Sequence, residues 1–93
     1  GRKNAVEKVA MFLVWLWNEE HEHCLHAPKR GNDLLLHFPF SREEIADFLG
    51  LTLETVSRCI SKLDIDGVIT LINAKCIEIR ELDRLRRIAR SEI

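Results

Sequence analysis

Short polar side chains around one arginine have the chemistry to read base pairs. They belong to Glu54, Ser57, Arg58 and Ser61, whose spacing predicts one exposed face in the first two turns of a helix. An arginine donates two hydrogen bonds to O6 and N7 of guanine, and a carboxylate accepts from N4 of cytosine. The set therefore predicts contacts in the major groove of double-stranded DNA. An ordinary surface ion pair between Glu54 and Arg58 is the alternative interpretation.

The residues around this group predict two helices joined by a tight turn. Ser41-Arg-Glu-Glu44 is a capping box, and Gly50 ends the first helix because glycine tolerates a left-handed backbone. Thr52 caps the second helix, a recognition helix at about residues 53–66, and Gly67 stops it. The predicted apolar faces are Ile45, Phe48 and Leu49 in the first helix and Val56, Cys59, Ile60 and Leu63 in the second.

Three positions in this segment have the spacing of a helix-turn-helix. With Arg42 counted as the first position, Ala46 is the fifth, Gly50 the ninth and Val56 the fifteenth. A small fifth residue lets the two helices cross closely, the glycine permits the turn, and a β-branched fifteenth residue fills the gap between the helices. Thr52 and Thr55 at the helix start offer hydroxyl or backbone N–H donors to a phosphate, helped by the positive end of the helix dipole.

The flanking sequence supplies the rest of a winged fold. An amphipathic helix is predicted over residues 4–17, capped by Asn4 and with Trp15 off its apolar stripe. A polar helix end and loop (18–33), an edge strand (34–40), a hairpin (68–72 and 76–80, joined by 73–75) and a charged helix (82–93) follow. The predicted fold is mainly α, of the α+β type: a single winged helix-turn-helix domain over residues 1–93, with a C-terminal β-hairpin wing.

The composition limits the classes of protein to which this chain can belong. The net charge of −1 counts mildly against a nucleic-acid binder, although the placement of charges decides phosphate affinity. Three widely spaced cysteines predict a reducing cytoplasm rather than a disulfide framework. The apolar run at residues 9–17 is far shorter than the roughly 20 residues of a membrane-spanning helix, so no membrane partner is expected. Without a nucleophile–base pair or glycine-rich phosphate loop, we expect neither an enzyme nor a cofactor.

Three further features each allow two interpretations. The tract of His21, His23, Cys24 and His26 offers metal ligands, but it lacks two separated ligand pairs, so we expect a solvated helix end and no metal. Cys59 is either an oxidation switch beside Arg58 or a small core residue, and its place on the apolar stripe favours the core. The basic cluster near the C-terminus is a solvated face or a source of attraction to the DNA backbone; it consists of Arg84, Arg86, Arg87 and Arg90.

The stretch from Phe40 to Arg58 (FSREEIADFLGLTLETVSR) closely resembles the C-terminal DNA-binding domain of the Crp/Fnr superfamily of bacterial transcription regulators. The similarity extends back to residues 1–10 and forward through the hairpin, and it is greatest to the Fnr and FixK branches. The resemblance implies a domain excised from a longer regulator whose N-terminal effector domain is absent. It also implies a dimer of the parent protein, contact with RNA polymerase through that parent, and inverted-repeat half-sites of the TTGA type.

The resemblance assigns roles to individual residues. Glu54, Ser57 and Arg58 match the base-reading trio of the family, and Leu53 matches the neighbouring position that tunes preference between branches. The positions that contact phosphates are matched by Ser41, Thr52, Thr55 and Lys75. A winged-helix protein–protein interaction module is the alternative function, and it would suit the near-neutral charge. That alternative predicts an exposed apolar patch on the recognition helix, where the sequence is polar.

Overall fold

The first helix, α1 (Ala5–Glu22), begins at the predicted cap. In the computed structural model, which describes residues 3–22 and 35–91, the Asn4 side chain accepts from the Glu7 backbone N–H at 2.9 Å. The Glu7 carboxylate accepts in turn from the Asn4 backbone N–H at 2.8 Å. The helix continues past the predicted end at residue 17, because the asparagine and glutamates that follow supply no stop signal and glutamate is a good helix former. Among the described residues no helix is long and apolar enough to cross a bilayer.

Three short strands form one antiparallel sheet in the order β1–β3–β2. The strands are β1 (Leu35–His37), β2 (Ile69–Asn73) and β3 (Cys76–Ile79). β2 and β3 are the predicted hairpin, and β1 pairs with the outer side of β3, with Leu36 opposite Ile77. β1 is therefore an edge strand, as Pro39 predicts, but it ends at His37 and not at the predicted residue 40. The sheet joins the wing to the segment that leads into the second helix.

Helices α2 (Arg42–Leu49) and α3 (Leu53–Ile65) form the predicted helix-turn-helix. α2 ends at Gly50, whose φ of 71° lies in the left-handed region, and the Leu51 N–H returns to the Ala46 carbonyl at 2.8 Å. α3 ends in the same way at Gly67, with φ 78° and a bond from the Val68 N–H to the carbonyl of Leu63. Both ends follow the Schellman pattern, in which the left-handed residue lets the chain satisfy the last carbonyls of the helix.

The core lies where α1, α2, α3 and the sheet meet. Val56 is fully buried and Ala46 is 3% exposed, so the fifth and fifteenth positions of the motif pack as predicted. The prediction for Phe48 is wrong, because this ring is 73% exposed although Ile45 on the same helix is buried. Ile45 and Ala46 are the buried residues of this two-turn helix, whereas the Phe48 ring lies against the rings of Phe12 and Trp15 on α1, with centroids 6.0 and 6.5 Å away, and is covered only in part.

The last helix, α4 (Leu82–Ala89), packs on α1 and ends before the predicted limit at residue 93. Its apolar side faces inward, with Leu85 and Ala89 buried, and the Arg86 guanidinium lies over the Trp17 ring at 5.3 Å. The proposed ligand side chains of the 21–26 tract lie outside the described residues. Within the described part of the chain, no group of three or more His, Cys, Asp or Glu side chains is arranged to hold a metal.

Candidate nucleic-acid interface

The capped start of α3 carries the residues predicted to read bases. The Thr52 hydroxyl accepts from the Thr55 backbone N–H at 3.1 Å and so fixes the first turn of the helix. One side of the helix is then buried through Val56, Cys59, Ile60 and Leu63. Because that side faces the core, Glu54, Arg58 and Ser61 are exposed on the other side, and Ser57 is half-buried between them. The structure therefore brings the predicted reading residues together on one outward surface.

Glu54 and Arg58 form a loose ion pair on this surface. The Arg58 Nη2 lies 3.9 Å from the Glu54 Oε2, and the two side chains are 80% and 85% exposed. An exposed pair at this helical spacing contributes only about 0.3–0.5 kcal/mol to stability. The alternative interpretation as an ion pair is thus realised, but it is weak enough for either group to turn toward another partner. Lys62 is paired in the same manner with Asp66, at 3.2 Å.

Leu53 is the apolar member of the surface. It occupies the first turn of α3 directly before Glu54, and its side chain is 44% exposed. An exposed aliphatic group beside polar reading residues can contact the methyl group of thymine, which is the apolar feature of the major groove. Ile65 at the other end of α3 is 83% exposed, so the described surface of the helix is polar in the middle and apolar at its ends.

The two threonines at the start of α3 are hydrogen-bonded to each other. The Thr52 hydroxyl donates to the Thr55 hydroxyl at 2.9 Å while it accepts from the backbone of the same residue. Both hydroxyls are therefore engaged in the cap. A phosphate at this helix end would meet the Thr55 hydroxyl and the positive end of the α3 dipole.

Lys75 lies close enough to Glu44, the capping partner of Ser41, for its charge to act on that carboxylate, although 34 positions separate Ser41 and Lys75 in the sequence. Ser41 caps α2 in a complete capping box, accepting from the Glu44 N–H at 3.0 Å and donating its own N–H to the Glu44 carboxylate at 2.8 Å. These hydrogen bonds, and more weakly the charge of Lys75, lower the pKa of Glu44. The influence of Lys75 reflects its place in the wing turn, where its carbonyl accepts from the Phe38 N–H at 2.8 Å.

Known proteins that resemble this chain agree with the helix-turn-helix described above. Residues 7–88 match the family of Crp-like helix-turn-helix domains. The chain belongs to this family. It is 42% identical to the nitrogen fixation regulation protein FixK of Rhizobium meliloti over 92% of this chain and 36% of that protein. It is 40% identical to the transcriptional activator protein FnrL of Cereibacter sphaeroides over 91% of this chain and 34% of that protein.

The solved structure of FixK2 from Bradyrhizobium japonicum has the same fold, with a TM-score of 0.74 and 36% identity over 95% of this chain and 39% of that one. The Crp-like domain spans about a third of the length of the curated relatives it matches. It is a DNA-binding domain of the type found in Crp/Fnr transcription regulators. Its fold is mainly α with a β wing, as predicted. The relatives are regulators rather than enzymes, which confirms the expectation on catalysis.

Cys59 lies in the core of the Crp-like domain beneath the reading surface. Its side chain is 5% exposed, and burial raises the pKa of its thiol. A thiol must ionise to act as a nucleophile, so a raised pKa and a buried sulfur both reduce its reactivity. The geometry favours the interpretation of Cys59 as a small core residue over that of an oxidation switch.

Arginines outside α3 donate hydrogen bonds to other parts of the fold, and the sequence did not predict these bonds. Arg84 donates to the carbonyl of Asp66 at 3.0 Å, so α4 caps the end of α3, and Arg80 donates to the Thr70 hydroxyl at 3.1 Å across the hairpin. Arg84 belongs to the predicted basic cluster, as does Arg86, whose guanidinium lies over the Trp17 ring. Both side chains therefore make contacts within the fold. Arg42 stands next to Ser41 at the start of α2, where burial lowers its pKa and its Nε has no hydrogen-bond partner among the described residues. No sequence pattern marks these partners, because each bond joins separate elements.

Proposed function

We propose that this domain binds double-stranded DNA at a specific sequence by placing α3 in the major groove. The observation that carries the proposal is the outward surface of α3, where Glu54, Ser57 and Arg58 project from a capped helix whose other side is buried. The major groove of B-DNA is about 12 Å wide and admits one α-helix, whose N-terminal residues meet base edges. Arg58 would bond to a guanine, Glu54 to a cytosine, and Leu53 would contact a thymine methyl group.

Phosphates on either side of the groove would be bound by two further groups of residues. Thr52 and Thr55 offer a helix end, and Ser41 with Lys75 offers a second helix end beside a cation. Such contacts fix the register of the protein on the duplex but carry no sequence information. They also explain how a domain with a net charge of −1 can bind DNA, because the few cations on this side meet phosphates directly.

We further propose that the domain acts within a homodimeric regulator about three times its length. The share of FixK and FnrL that it covers supports this size. A dimer presents two recognition helices, and helix-turn-helix dimers bind half-sites about 34–36 Å apart, one turn of the duplex. The resemblance to Fnr and FixK supports an inverted repeat of TTGA-type half-sites and contact with RNA polymerase through the full-length protein.

Selection from random duplexes tests the proposal. The chain of 93 residues is incubated with a randomised duplex pool, and bound molecules are amplified and sequenced over several rounds. Low salt is used because phosphate contacts weaken steeply with ionic strength. We expect enrichment of a TTGA-type half-site. Enrichment of another sequence would remove the half-site assignment and keep sequence-specific binding, whereas a pool without any enriched sequence would contradict the proposed function.

A further inference from the structure

A lysine on α3 lies beside the proposed reading surface and takes no part in the DNA contacts proposed above. The Lys62 side chain is 63% exposed, and its ammonium group pairs with the Asp66 carboxylate at 3.2 Å. Together with Arg58 and Ser61, it lines a shallow hollow of about 380 Å³ on the exposed side of α3. Arg58 and Lys62 are the two cations of this helix. A duplex that meets the reading surface therefore comes close to Lys62 as well.

The position of Lys62 around the helix axis favours contact with the DNA backbone rather than with the bases. Successive residues of an α-helix are rotated by about 100°, so Lys62 lies about 80° around the axis from Glu54, on one flank of α3. Thr55, which the proposed function assigns to a phosphate, lies on the same flank, about 10 Å away along the axis. When a helix lies in the major groove, its central stripe faces the base edges and its flanks face the two backbones.

The opposite flank of α3 is less suited to a phosphate. It carries Ser57 and Asp64, which are both half-buried, and neither is a cation. A carboxylate repels phosphate oxygens, whereas a lysine attracts them as a compact point charge. The charges of α3 therefore favour a backbone contact on the flank of Lys62.

The pair between Lys62 and Asp66 stabilises the helix only weakly. Pairs at this spacing are more favourable when the acid lies on the N-terminal side, and here the order is reversed. Asp66 is the C-cap of α3, so its carboxylate lies at the negative end of the helix dipole. Arg84 donates to the main-chain carbonyl of Asp66 at 3.0 Å, which leaves the carboxylate to Lys62. Because so weak a pair is easily exchanged, a phosphate can compete with the carboxylate for the ammonium group.

We propose that Lys62 binds a phosphate of the DNA backbone and that Asp66 competes with this phosphate for the ammonium group. The inference rests on the proposed function, to which it adds a backbone contact on one flank of α3. Each phosphate that a protein neutralises releases counterions from the duplex. The contact therefore adds affinity that is independent of base sequence and falls with ionic strength, and the carboxylate of Asp66 reduces that affinity.

Fluorescence anisotropy of labelled duplexes tests both parts of the inference. The wild type and its variants are titrated at about 50 to 200 mM salt with the duplex enriched by selection and with a scrambled duplex of equal length. Lys62→Ala should weaken binding to both duplexes alike, by about three- to tenfold, and should reduce the slope of log affinity against log salt by about 1. Lys62→Arg keeps a cation and should retain the wild-type affinity and slope. Asp66→Asn keeps the carbonyl that Arg84 contacts, and it should strengthen binding to both duplexes by about two- to fivefold.

A matched control separates this contact from a general effect of charge. Lys8→Ala removes the same charge from α1 and should leave binding to both duplexes close to the wild-type level. The inference is overturned if Lys62→Ala matches Lys8→Ala in affinity and salt slope, if it alters the preference for one base pair, or if Asp66→Asn weakens binding. Each of these results leaves the proposed function intact when the wild type prefers the selected duplex. A wild type that binds neither duplex would refute the proposed function and this inference together.

Discussion

Replacing Gly50 with alanine tests whether the turn between α2 and α3 depends on a left-handed residue. Gly50 has φ 71° and ψ 33°, and its N–H bonds to the carbonyls of Ala46 and Asp47. A Cβ placed on it would meet no atom within 4 Å, so the substitution brings no collision. The entire effect must come from backbone conformation, which makes the magnitude accessible to a simple estimate.

Two opposing contributions determine that magnitude. An alanine in the left-handed region raises the free energy of the folded state by about 1–2 kcal/mol. The same substitution restricts the unfolded chain, which favours folding by about 0.4–1 kcal/mol. The mid-range values differ by about 0.8 kcal/mol, so we expect Gly50→Ala to reduce the free energy of unfolding by about that amount. Gly50→Asn should reduce it less, because asparagine tolerates this conformation better.

Urea unfolding followed by far-UV circular dichroism measures both variants against the wild type. Because the change is local, the slope of the free energy with urea should stay constant while the midpoint falls. Below the transition, the folded fraction of Gly50→Ala should bind DNA as the wild type does. An unchanged or higher midpoint for Gly50→Ala would show that the turn does not require a left-handed residue, and the explanation of this helix end would be incorrect.

Two further predictions concern a buried thiol and the capping box. Peroxide should affect DNA binding equally in the wild type and in Cys59→Ala, since Cys59 is buried and its pKa is raised; weakening confined to the wild type would instead establish an oxidation switch. The pKa of Glu44 is lowered by its hydrogen bonds with Ser41, so its carboxylate stabilises the fold above the ordinary glutamate pKa of about 4.3, and this contribution is lost as the pH falls through the lowered pKa. The difference in unfolding free energy between wild type and Glu44→Gln should therefore be greatest near pH 7 and shrink toward pH 2, and a difference independent of pH would refute this role.

Local signals predicted most of the fold. Asn4, Ser41 and Thr52 begin helices where predicted, because an N-cap depends on residues within one turn of it. The turn at Gly50 and the packing of Val56 followed from the spacing of the helix-turn-helix. These features lie close together in the sequence, so a single chain is enough to recognise them.

Features that depend on distant partners could not be predicted in the same way. Phe48 has the spacing of a core residue, but its burial depends on which element covers that side of a two-turn helix, and among the described residues α1 covers it only in part. The proximity of Lys75 to the start of α2 depends on the pairing of β1 with β3. The base-reading side chains were found from helical spacing and resemblance, and their contacts with DNA stay a prediction.

The effect of Arg58→Ala on sequence discrimination tests the central claim most directly. The variant should lose about 1–3 kcal/mol of binding to the preferred duplex, roughly 5- to 150-fold, and should stop distinguishing bases at one guanine position. Its fold should be intact, because Arg58 is 80% exposed and its one ion pair within residues 3–22 and 35–91 is the weak pair with Glu54. Lys75→Ala is the matched control, expected to weaken binding to every sequence alike and to reduce its salt dependence. If Arg58→Ala binds all duplexes with wild-type discrimination, α3 does not read DNA through this surface.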